Sequence, residues 1–150
     1  MKGLFSLLAC GLVLANFEAR ADERDVLGVW TTADNRSRVE IFKKQDKYFG
    51  KIISLKQPNF PAGDKRGMGG KPQVDRENPK PELRARSLVG LEIMSGCVYS
   101  GKNEWNSGHV YDPENGKTYK CHLTLAATNR LELRGFVGIS LIGRTAVWTR

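Results

Sequence analysis

The side chains best equipped for metal or thiol chemistry are two histidines, His109 and His122, and the cysteine pair Cys97 and Cys121. Alternation along the chain puts both imidazoles on one outer face, diagonally across adjacent strands. A zinc-type site needs at least a third donor and none is apparent, so no metal site is assigned. Neither histidine has an evident partner acid and nucleophile. Gly138-Ile139-Ser140-Leu141-Ile142-Gly143 lacks the Gly-x-Ser-x-Gly spacing of a nucleophile elbow, and it joins two strands where that motif needs a strand-to-helix turn. The expectation is a protein that is not an enzyme, with no catalytic residue and no cofactor.

Tyr111-Asp112-Pro113-Glu114-Asn115-Gly116 offers carboxylates to an ion, but these are also the residues of a tight hairpin. Pro presets φ there and Gly accepts the left-handed conformation. Segment 57–87 is long and rich in Pro, Gly and charge, which is the character of a lid or binding loop. It sets Lys65, Arg66, Lys71, Arg76, Lys80, Arg84 and Arg86 beside Asp64, Asp75, Glu77 and Glu82. Either its guanidinium groups receive the carboxylate or phosphate of a bound amphiphile, or Asp75 pairs with Arg84 or Arg86 and holds the loop down. Asn78-Pro79 followed by residues 80–86 predicts one short helix, with Asn78 as N-cap and arginine at the C-terminal dipole end.

These groups must be positioned by strands. Short alternating runs cover 26–32, 38–44, 47–56, 88–99, 104–112, 117–126, 130–139 and 142–148, and no helical periodicity of useful length competes. Polar turns at Gln45-Asp46, Ser100-Gly101-Lys102, 113–116 and Thr128-Asn129 reverse the chain within a few residues. Sequence neighbours are then neighbours in space, which predicts an all-β, eight-stranded antiparallel up-and-down barrel.

Hairpin register predicts what faces inward. The turn near Glu114 sets Cys121 opposite Gly108, and the turn near Gly101 sets Gly108 opposite Ser95. Tyr119, Cys121, Leu123 and Leu125 share a face with Leu131, Leu133, Gly135 and Val137, so Ser95, Tyr119, Cys121, Leu123, Leu133 and Gly135 form the expected ligand-facing set. Inward Ser95, Gly108 and Gly135 leave volume that is either a cavity or the bends that let strands coil. Cys97 and Cys121 fall on one face with a strand between them, about 9 to 10 Å apart, where a disulfide needs Cα atoms closer than about 7 Å.

The chain opens with Met1-Lys2-Gly3, an apolar run over 4–15 and the small-x-small site Ala19-Arg20-Ala21. This predicts a signal peptide over 1–21, cleaved near Ala21, and one domain over 22–150 in the periplasm or secreted medium. A lipobox ending at Cys10 is the competing reading, weakened because half the apolar run follows it. No second apolar segment follows, so no transmembrane segment is expected in the mature chain. The net charge of +8 points to anionic envelope polymers or lipid head groups, or serves solubility alone. Export and the lack of a recognised module argue against nucleic acid.

Gly28-Val29-Trp30 resembles the Gly-x-Trp signature of lipocalins and related calycin barrels. That resemblance implies that an arginine from the closing strand lies across Trp30, with Arg144 and Arg150 as candidates, and that Gly28, Trp30, Arg144 and Trp148 are structural. A longer succession of blocks is similar to the bacterial domain-of-unknown-function family 2147. It comprises Gly28-Val29-Trp30, Val39-Glu40-Ile41, Tyr48-Phe49-Gly50-Lys51-Ile52, residues 75–79, residues 84–91, Tyr111-Asp112-Pro113 with Gly116-Lys117-Thr118-Tyr119, and Arg134-Gly135-Phe136-Val137-Gly138 through to Arg150. The resemblance implies a secreted or periplasmic lipocalin-like barrel. His109 stands where an aliphatic residue is usual in that family.

Two functions remain in view. In the first, a small apolar or amphipathic molecule sits inside the barrel under a lid built around Asp75, Asn78, Arg84 and Arg86. In the second, an envelope inhibitor or adaptor uses its outer surface and long loop on a protein or an anionic polymer.

Overall fold

A computed structural model describes residues 22–150. The expected signal segment, with Cys10 and the cleavage point after Ala21, lies outside the described residues. Eight strands follow in order: β1 (Gly28–Thr31), β2 (Ser37–Lys44), β3 (Lys47–Leu55), β4 (Glu92–Gly101), β5 (Glu104–Asp112), β6 (Lys117–Ala127), β7 (Arg130–Phe136) and β8 (Gly143–Thr149). They form a closed antiparallel barrel in which each strand pairs with its sequence neighbour and β8 returns to β1. The β1–β2, β3–β4, β5–β6 and β7–β8 connections gather at one end, the mouth. The other three turns gather at the base.

Closure rests on one register pair, Thr31 with Thr149, and on a staple beneath it. The Arg150 guanidinium lies 4.4 Å from the centre of the Trp30 ring. It donates to the carbonyls of Thr128 at 2.8 Å, Leu27 at 3.0 Å and Asp25 at 2.8 Å. Planar, five-donor guanidinium chemistry suits this task, because one group stacks on the indole and ties three carbonyls from two chain segments to the end of β8. Arg150 therefore fills the role for which Arg144 was an equal candidate. Arg144 is exposed at the opposite end of β8, and the two differ because β8 carries one to the mouth and the other to the base.

The base half is solid. Trp30, Tyr48, Met94, Trp105, Leu123 and Leu131 are all fully buried there. The Trp105 ring packs edge-on against Tyr48, with centroids 5.8 Å apart, and tilted against Tyr99 at 5.1 Å. Such pairs add about 0.5–1.5 kcal/mol beyond area burial. Trp30 satisfies its indole N–H on the carbonyl of Val26 at 2.8 Å.

Two bulges correct the expected register. Gly96 has φ of +74° and Ser107 has φ of +63°, and the β5–β6 pairing slips by one residue between Trp105 and Gly108. Cys121 does face Gly108, but Ser95 pairs with His109. Ser95 consequently points out of the barrel, whereas Met94 points in. Each bulge reverses which alternate residues face the core, and sequence alternation cannot anticipate a left-handed serine.

Segment ends differ for local reasons. β7 stops at Phe136, short of Ile139, and Val137 is 72% exposed instead of inward. Leu88 to Leu91 form a turn around Gly90, φ +91°, before β4 begins. The expected helix is only a 3-10 turn over Pro81–Leu83, with Lys80, not Asn78, at its N-cap. Pro81 pushes Lys80 into extended backbone, which breaks a helix that starts at Asn78.

Cys97 and Cys121 are both free and buried. Their sulfurs meet above Gly108, where an added Cβ would lie 2.2 Å from Cys97 Sγ and 3.1 Å from Cys121 Sγ. The missing side chain of Gly108 is what lets two thiols lie across an intervening strand. The hydrogen bond to Cys97, with burial, pushes the Cys121 thiol up.

Candidate functional site: the barrel mouth and its strap

Above the aromatic floor the barrel widens into a cavity of about 810 Å³. Ile52, Ile93, Val110, Leu133, Ala146 and Trp148 supply its apolar wall from the strands. Phe60, Val74 and Leu88 from the 56–91 connection form an apolar roof, and Asp34, Arg36, Lys56, Arg76, Glu77 and Glu114 ring the opening. The volume falls within the ~300–1,000 Å³ usual for small-molecule sites, and the apolar wall and roof meet a charged and polar opening.

Most rim charges are already committed. Arg36 pairs with Asp34 and with Glu114, joining the β1–β2 and β5–β6 turns. Arg76 stacks 4.2 Å above the Phe60 ring and bonds Asp64 at 2.7 Å, and this hydrogen bond holds the Asp64 carboxyl below its usual range. Glu77 bonds Arg66 at 2.5 Å. Lys56, exposed on the rim, makes no ion pair among the described residues.

The connection is a strap pinned in place, and its pin is Asp75. Completely buried, its carboxylate accepts from Arg86 Nε at 2.9 Å, Asn78 Nδ2 at 2.8 Å and the Tyr111 hydroxyl at 2.6 Å. The Asp75 N–H in turn donates to the carbonyl of Arg86 at 2.9 Å. Arg84 takes no part in the ion pair and donates to the Asn78 carbonyl at 2.7 Å. Asn78 is held on both sides, since its Oδ1 also accepts from the Lys80 N–H at 2.9 Å. Every polar atom of a buried carboxylate must be matched in this way, or its desolvation is uncompensated. Burial first, then Asp75, pushes the Tyr111 phenol up to about 12.

A second contact presses the strap against the β5–β6 turn. Gly116 sits at φ +69°, and a Cβ there would lie 1.9 Å from the carbonyl of Glu77. Only glycine allows both the turn and this approach.

Of the expected ligand-facing set, Leu133 alone lines the mouth cavity. Cys121 and Leu123 are buried lower down in the filled half. Tyr119 and Gly135 are half-buried at the inner side of the rim, where Tyr119 Cβ and Val110 Cγ1 lie 3.8 and 3.6 Å from where a Gly135 Cβ would stand. Ser95 lines a separate outer cleft of about 290 Å³ with His109, Lys80 and Thr118. Trp148, expected only as a structural residue, also forms cavity wall. Missed altogether were Tyr111 as the strap's anchor and Phe60 as its roof. Phe60 had a signal, being the one aromatic residue between 57 and 87.

Among the described residues no group of three or more His, Cys, Asp or Glu side chains is gathered to hold a metal. His109 pairs with Lys120, and His122 with Arg134. The Asp112 carboxylate is occupied by its own turn, accepting from the Glu114 N–H and Asn115 Nδ2. No helix among the described residues is long and apolar enough to cross a membrane.

Residues 28–150 match the profile of a family described as "Uncharacterized protein conserved in bacteria (DUF2147)". The chain belongs to this family. A solved structure described as "Protein HP1028 from the human pathogen Helicobacter pylori belongs to the lipocalin family" is similar to this DUF2147 member, with a TM-score of 0.67 and 27% sequence identity over 83% of this chain and 81% of that one. A search of curated proteins gives no match. Family membership and a lipocalin-like barrel, both implied by the sequence blocks, are thus established together.

Proposed function

We propose that the protein is a non-enzymatic carrier, exported to the periplasm or beyond, that holds a small apolar or amphipathic molecule at the barrel mouth beneath the 56–91 strap. The observation that carries this reading is the apolar cavity of about 810 Å³ above a solid aromatic floor. A floor of packed rings sets the depth to which a ligand can enter, so its apolar part meets Leu133, Ala146 and Trp148 while its polar end stays at the rim. Lys56 is a rim cation with no ion pair among the described residues, which suits an anionic head group there. Lipocalin-family membership of the similar Helicobacter pylori protein supports the same architecture-level reading.

Native mass spectrometry of protein purified from its own cell compartment tests it. The expected result is a retained small molecule, absent from an Ala146→Phe variant whose added ring fills the space between Leu133 and Trp148. Export is tested in the same preparation by the mass of the chain, which should begin at Asp22. A wild-type protein free of any small molecule but bound to a macromolecule would instead favour the inhibitor or adaptor reading.

A further inference from the structure

The β7–β8 turn is built unlike the other mouth turns. Val137, Ile139, Leu141 and Ile142 are 72%, 60%, 84% and 72% exposed, and Ser140 is the only polar side chain among residues 137–142. Isolated exposed aliphatics are ordinary, but four on one six-residue tip make a contiguous apolar projection. The tip is also held in shape. Arg134 donates to the carbonyls of Ser140 at 2.6 Å and Leu141 at 3.2 Å, and to Thr145 Oγ1 at 3.0 Å. A braced turn displays its side chains with little further ordering cost on binding.

We propose that this tip inserts into the surface of an anionic lipid bilayer and so sets the barrel mouth against the membrane. Charge selects this occupant. No acidic residue occurs from Leu133 to Thr149, whereas Arg134 and Arg144 do. Arg144, opposite Gly135, and Lys120, opposite Phe136, stand just below the tip and make no ion pair among the described residues. Aliphatic side chains flanked by unpaired cations match the acyl boundary and the head groups of an anionic leaflet. A second copy of the chain meeting tip to tip would bring Arg144 and Lys120 against their own counterparts. The turn lies at the same end as the cavity, so docking would orient the opening toward lipid. The inference stands apart from what the cavity holds, because no residue of the tip lines it.

Flotation of the purified protein with vesicles tests the proposal. The wild type should float with phosphatidylcholine vesicles containing phosphatidylglycerol, less with phosphatidylcholine alone, and less as salt rises. Leu141→Ser with Ile142→Ser should weaken binding at least about tenfold, through loss of inserted apolar surface. Arg144→Gln should weaken it about fivefold, and only on anionic vesicles. Both variants change exposed positions, and unchanged circular dichroism and dye uptake into the cavity separate lost docking from lost folding or lost cargo binding. Wild type that stays with the aqueous phase, or a double Ser variant that floats as well as wild type, overturns the proposal. So does sedimentation velocity showing that the wild type self-associates and the double variant does not, with vesicle binding equal in both.

Discussion

Asp75→Ala removes an acceptor that water does not reach and takes one bond from each of three donors at once. The lost bonds are those from Arg86, Asn78 and Tyr111, at 2.9, 2.8 and 2.6 Å. Breaking a buried ion pair costs about 3–5 kcal/mol because the abandoned partner stays charged. The Arg86 side chain, however, is 39% exposed and regains water, so the lower limit applies, about 3 kcal/mol. Tyr111→Phe, which deletes one hydroxyl, provides the internal scale at about 1 kcal/mol. Asp75→Asn should fall between them, since its amide oxygen can still accept from Arg86 while the Tyr111 hydroxyl turns to accept from its NH₂. Urea unfolding reads the total. Trypsin cleavage at Lys65 and Arg66 reads the strap, which is expected to come free before the barrel opens. If Asp75→Ala unfolds within about 0.5 kcal/mol of wild type and its strap is cut no faster, then Asp75 is not the pin and the reasoning fails.

Tyr111 also sets an alkaline limit. Its folded pKa of about 12 lies above the unfolded value of 10, so its contribution is fully present below pH 10 and is lost as pH rises toward 12. Wild type should lose stability over that window more steeply than Tyr111→Phe, and equal slopes in urea titrations at pH 10 and 12 would contradict this. Gly108→Ala drives a methyl onto Cys97 Sγ and should cost about 1–3 kcal/mol. Adding Cys97→Ala should recover most of that loss, whereas simple additivity of the two changes in a double-mutant cycle would show that the sulfur is not the obstacle. Arg150→Ala should cost about 1–2 kcal/mol through the lost stacking and carbonyl bonds. Arg150→Lys should recover less than half, because an ammonium cannot span three carbonyls and lie flat on Trp30. Thermal midpoints equal to wild type in Arg150→Ala would dismiss the staple.

Alternation and turn chemistry made the barrel legible, because both depend on neighbours in sequence. β5 runs over the residues expected of it, and Cys121 faces Gly108 as the 113–116 turn requires. What alternation could not give was height within the barrel. Leu123 and Leu133 are cross-strand partners on one face, yet Leu123 is also the partner of Trp105 and is fully buried, while Leu133 lines the cavity. Ser95 faces outward for a related reason: the Gly96 and Ser107 bulges flip the phase of two strands, and nothing in the sequence marks Ser107 as left-handed. The strap's pin was half readable. Opposite charges predict a pair between Asp75 and either Arg84 or Arg86, and the structure selects Arg86, but hairpin chemistry accounts for Tyr111 in the sequence, and its bond to Asp75 spans 36 residues. The aliphatic tip at 137–142 looked like the continuation of two strands. Its exposure follows from the bend at Gly138, φ +76°, and from the bracing by Arg134.

The central claim is that the mouth cavity receives an apolar molecule, and titrating the protein with a fluorescent fatty-acid analogue while watching tryptophan emission tests it most directly. Saturable binding at one site per chain is expected, with quenching of Trp148 and an affinity at least about tenfold weaker in Ala146→Phe. Absence of saturable binding, or equal affinity in a folded Ala146→Phe variant, would contradict it.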